Sequence, residues 1–99
     1  MARDQVQVTC PAGAWTQLTN ADVTSITFQA QEGDVFIRFT TDATTPTEAA
    51  GIVYGVTPGN RQGELNRSIL DLTNLSGADR VWAKPLDVSR AAVVYVDHA

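Results

Sequence analysis

His98 and Cys10 are the single histidine and single cysteine of this 99-residue sequence, and no other side chains in it offer as much to catalysis or metal binding. A triad or a zinc site needs its imidazole aligned with partners on a rigid frame. His98 is the penultimate residue, and in extended backbone its neighbour Asp97 points to the opposite face. It reads as a polar strand-end residue. Cys10 alternates with Val6 and Val8, which assigns the thiol to the apolar side of a strand. A lone cysteine forms no intrachain disulfide and suits a reducing compartment.

The carboxylates are no better arranged for chemistry. Asp42, Glu48 and Asp71 lie in separate segments, without the dense spacing of a calcium loop. A glycosidase needs two carboxylates facing one sugar, a pairing that spacing alone does not supply here. Gly55, Gly59 and Gly63 recur evenly, but the lysine and hydroxyl of a phosphate loop are missing, so turns are expected there. The residues therefore predict no enzyme, with no catalytic, cofactor-binding or metal-binding set and no cofactor. Trp15, Tyr54, Trp82 and Tyr95 could stack against sugar rings. Trp82 between Val81 and Ala83, and Tyr95 between Val94 and Val96, fit a core or interface equally well.

Charge narrows the partners. Eleven acids against seven bases give a formal net charge of -4, and Lys84 is the only lysine. That balance argues against sequence-independent nucleic-acid binding, which neutralises phosphates, and offers nothing to anionic membranes. Directional arginine pairing at a docking surface stays open. No apolar run approaches the roughly 18 residues of a membrane span, and Met1 to Asp4 leads directly into a strand-like segment without a signal-peptide core. The expectation is a soluble protein made in cytoplasm.

The elements that carry these residues are short and β-branched. Gln5 to Cys10, Ala14 to Thr19, Thr24 to Gln29, Val35 to Thr40, Gly51 to Tyr54, Ser68 to Leu72, Arg80 to Pro85 and Ala91 to Val96 read as extended. Glu64 to Leu72 could alternatively hold a helical turn. Pro11-Ala12-Gly13, Asn20-Ala21-Asp22 and Leu75 to Asp79 read as turns, and Glu32-Gly33-Asp34 as a hairpin connection. Thr41 to Thr47 and Gly55 to Gly63 read as exposed loops. The prediction is one all-β domain over residues 1–99, an antiparallel β-sandwich or small β-barrel of about seven or eight short strands. The threonines at 40, 41, 44, 45, 47 and 57 suit either a lattice contact or a solvated loop.

In order and spacing, Ala14 to Thr19, Ile26 to Gln29, Val35 to Thr40 with the loop Thr44 to Thr47, Arg80 to Ala83 and Val93 to Ala99 resemble small virion proteins of tailed bacteriophages. The resemblance implies a capsid decoration, or cement, protein made in the host cytoplasm and added to the capsid exterior. Such proteins commonly form homotrimers and bridge subunits of the major capsid protein, stabilising the shell by mass action. The implied interface comprises the loop with Asp42, Thr44, Thr45, Pro46 and Thr47, and the loop with Thr57 and Arg61. Trp15 and Trp82 would be core or inter-subunit anchors, and Arg38 would pair an acid or stay solvated. Met1 to Asp4 leaves little room for the N-terminal arm that many decoration proteins carry, which favours edge-to-edge contacts. The alternatives are a phage tail or head-spike component and a carbohydrate-binding β-sandwich module.

Overall fold

In the computed structural model, residues 4–19, 25–41, 45–47, 51–57, 60–69, 72 and 80–98 are described. They form ten strand segments: β1 (Asp4–Cys10), β2 (Thr16–Gln17), β3 (Ser25–Glu32), β4 (Val35–Thr40), β5 (Ile52–Tyr54), β6 (Val56–Thr57), β7 (Asn60–Arg61), β8 (Gly63–Ser68), β9 (Arg80–Pro85) and β10 (Ala92–His98). One four-stranded sheet runs β1-β10-β3-β8 and a second runs β2-β9-β4-β5, with β6 and β7 as a separate two-stranded piece. All pairings are antiparallel.

With the small β6–β7 hairpin set aside, eight strands remain, and their pairing is nested. The first pairs with the last (β1 with β10), the second with the last but one (β2 with β9), and the fourth with the fifth (β4 with β5). The third, β3, pairs with β8, and β10 and β9 complete their sheets beside β3 and β4. This is the strand order of a jelly roll, one long antiparallel hairpin wound into two sheets.

Alternation explains why the sheets face one another. In β3, Ile26, Phe28 and Ala30 are buried, and in β10 so are Ala92, Val94 and Val96. From the other sheet come Val35 and Ile37 of β4 and Val81 and Ala83 of β9. These side chains share one core with Cys10, Leu18 and Ile69. A period of two turns one side of each strand inward and leaves the other for solvent.

Several expectations are corrected here. Glu32-Gly33-Asp34 makes the expected tight turn, with Gly33 at φ +77°, where a side chain would be strained. It does not close a hairpin: β3 pairs with β10 and β8, while β4 pairs with β9 and β5, so the turn carries the chain between sheets. Gly55 to Gly63 is not a plain loop, because it contains β6 and β7. Gly63 serves no turn there. It lies in β8, where a Cβ would collide with the Phe28 carbonyl oxygen. Glu64 to Ser68 is strand, whereas Ile69 and Leu72 have helical backbone. The turns expected at 20–22 and 75–79 lie outside the described residues.

Candidate interaction surface

The two sheets present different outer faces. On β2-β9-β4-β5, the register sets Val53 beside Phe36, Phe36 beside Lys84, Arg38 beside Trp82, and Trp82 beside Gln17. Trp15 joins this face from the segment before β2, with the Lys84 Nζ 5.9 Å from its ring centroid, within cation–π reach. The result is an aromatic and cationic face on an acidic protein. Trp82 is 5% exposed and its indole N–H donates to the Thr40 hydroxyl at 2.8 Å, so the outward side of β9 is itself covered.

The edge beside this face is open. β5 is the last strand of its sheet, and Ile52 and Val53 are about half exposed, at 51% and 49%. Ile52 lies opposite the buried Ile37 and so belongs to the inward side, reached by solvent where no strand of the described residues follows. An edge strand with exposed β-branched side chains is a template for pairing with another chain. Tyr54, the third residue of β5, is anchored within. Its ring meets Phe28 edge to face at 4.8 Å, and its hydroxyl donates to the Glu64 carboxylate at 3.2 Å. Burial first, then the charge of Glu64, pushes the Tyr54 phenol up to about 12.

The outer face of β1-β10-β3-β8 is polar. Gln7, Tyr95 and Gln29 stand in one row across three strands, and the row ends at Gly63. The β6–β7 hairpin is tied to this sheet through Arg61, whose Nε donates to the Gln31 carbonyl at 3.1 Å, and through Ala30 N–H donating to the Gln62 carbonyl at 2.9 Å.

At the end of the sandwich where β3 turns into β4, a hollow of about 850 Å³ opens between that turn and the β9–β10 connection. Two of its three acids, Asp34 and Asp87, are already engaged. Asp34 accepts the Val56 N–H at 2.8 Å, and Asp87 accepts both the N–H and the hydroxyl of Ser89, which lowers its pKa. These carboxylates hold loops in place.

The structure separates the sequence-predicted residues into three places. Trp15, Arg38 and Trp82 share the outer face of β2-β9-β4-β5. Thr57 and Arg61 are exposed on the β6–β7 hairpin. Thr45, Pro46 and Thr47 belong to the β4–β5 connection, which leaves from the Thr40 end of β4, away from the Val35 end that faces the hairpin; Asp42 and Thr44 lie outside the described residues. The chain thus enters the two loops from opposite ends of the β4–β5 pair, at Thr40 for one and at Tyr54, opposite Val35, for the other.

The four aromatics share no platform either, since Tyr54 points inward, Trp82 is covered and Tyr95 lies on the other sheet. Sequence reasoning missed Phe36, Val53 and Lys84, although their outward register followed from alternation once Ile37 and Ala83 were placed inward. Among the described residues, no three His, Cys, Asp or Glu side chains gather to hold a metal, and no helix is long and apolar enough to cross a membrane. No family model, curated protein or solved structure gives a significant match to this chain.

Proposed function

We propose that this chain is a non-enzymatic structural protein of a bacteriophage virion, a decoration protein that docks on the outer head surface and stabilises the shell. The observation that carries the reading is the edge strand β5, with Ile52 and Val53 half exposed beside an aromatic and cationic face. Jelly rolls serve viral capsids and lectins alike, so the fold is compatible with the reading without deciding it. Docking through β5 would extend a sheet across a subunit boundary by backbone hydrogen bonds, with Val53 and Phe36 packing beneath it. The partners are further copies of the chain, in a homotrimer, and the major capsid protein. Protomers bound only to the expanded lattice would stabilise it in proportion to occupancy.

The test is addition of purified protein to expanded phage heads that lack it, followed by sedimentation. Saturable co-sedimentation and slower loss of DNA on heating are expected. Protein that stays in the supernatant at every concentration contradicts the proposal.

A further inference from the structure

We infer that the outer face of β1-β10-β3-β8 binds an uncharged polysaccharide in a trough centred on Tyr95. A hollow of about 300 Å³ lies beside this ring, with Gly63, Gln29, Leu65 and Arg61 among its walls. Gly63 ends the row Gln7–Tyr95–Gln29, and its bare backbone, packed close against Phe28 and Gln29 of β3, forms part of the wall. A second hollow, of about 220 Å³, lies on the other side of Arg61, which lines both. The pair forms an interrupted groove with a guanidinium as its ridge, a shape that suits a chain of sugar rings better than one compact ligand.

The chemistry fits a pyranose. Tyr95 offers an aromatic surface for the C–H face of a ring. Gln29 is oriented before any ligand arrives: its amide donates to the Arg61 carbonyl at 3.3 Å and accepts from Gln31. One further N–H and a carbonyl lone pair remain for sugar hydroxyls. Arg61 spends its Nε on Gln31 and, among the described residues, keeps its terminal N–H groups, a planar fork matched to vicinal hydroxyls. Holding these groups in advance reduces the ordering cost of binding.

Local charge is balanced and offers an anionic chain no surplus of cations. Glu64, paired with Arg67 at 3.3 Å, lines the same hollow as Arg61, and Asp97 follows Tyr95 at the next outward position of β10. A carboxylated or sulfated polymer would therefore gain nothing from its charge on a protein of net charge -4.

The full chain, ¹⁵N-labelled, is titrated with cellohexaose, chitohexaose and mannohexaose, with a hyaluronan hexasaccharide as the anionic comparison. At least one neutral hexasaccharide should shift the backbone amides of Tyr95, Gln29 and Gly63. Tyr95→Ala and Arg61→Ala should each weaken that binding by about tenfold or more while the other amides keep their dispersion. Arg61 is exposed, so its variant keeps the test open if Tyr95→Ala unfolds. No shift with any neutral sugar, binding by hyaluronan alone, or undiminished affinity in Arg61→Ala would overturn the inference. None of these results depends on the state of the β5 edge.

Discussion

Thr19 shows how finely single side chains are set in this molecule. It is 2% exposed, and its hydroxyl has no hydrogen-bond partner among the described residues. A buried hydroxyl without a partner costs roughly 1–3 kcal/mol, so Thr19→Val, which keeps the shape, should raise stability by about 1 kcal/mol in urea unfolding. A loss of stability would mean that the hydroxyl is satisfied. Cys10 and Tyr54 make a pH prediction. Burial pushes the Cys10 thiol up to about 11 against an ordinary value of 9.0, and Tyr54 rises from 10.0 to about 12. Between each pair of values the unfolded chain has lost a proton that the folded chain keeps. The stabilisation is complete below about pH 9 and is lost as pH rises through 9 to 12. Tyr54→Phe keeps the ring against Phe28 and should flatten the upper part of that decline, read as the urea midpoint against pH. An unchanged profile would remove Tyr54 from the account.

At the scale of elements, the strands were legible and their partners were not. Val35 to Thr40 and Arg80 to Pro85 match β4 and β9: β4 opens with Val35 and Ile37 buried on alternate positions, and β9 is an apolar run in which Val81, Trp82 and Ala83 are all buried. Cys10 was legible as core for the same reason, and it is fully buried. The Gly33 turn misled because a tight turn records only that the chain reverses. Whether the second strand stays in the sheet depends on β9 and β10, some fifty residues away. The β6–β7 hairpin hid among glycine and proline for the opposite reason, since its two-residue strands are too short to show a period. Gly63 looked like punctuation yet lies in a strand against the Phe28 carbonyl. Gly63→Ala should therefore lower the thermal midpoint by several degrees, consistent with a cost of about 1–3 kcal/mol from forced backbone movement. A variant that melts with the parent would show that β8 has room there. The candidate surface was half legible: Trp15, Arg38 and Trp82 do share a face, but the β5 edge beside it was invisible without knowing which strand comes last.

For the whole molecule, nesting makes the fold depend on its final strand. β10 lies between β1 and β3 and contributes Val94 and Val96 to the core. Removing residues 92–99 should leave a chain without cooperative unfolding, as seen by a featureless near-ultraviolet spectrum. Long-range pairing of this kind folds in about milliseconds to seconds. The same winding leaves one sheet ending at β5, and the central claim is that this edge pairs with a different sheet edge of the next copy, a head-to-tail contact that three copies close. The most direct test is molar mass by light scattering over a concentration series, for the parent and for Val53→Lys, a charge that blocks edge pairing. The account predicts a trimer for the parent and a monomer of 10.6 kDa for the variant. A parent that stays monomeric throughout, or a variant that stays trimeric, would contradict it.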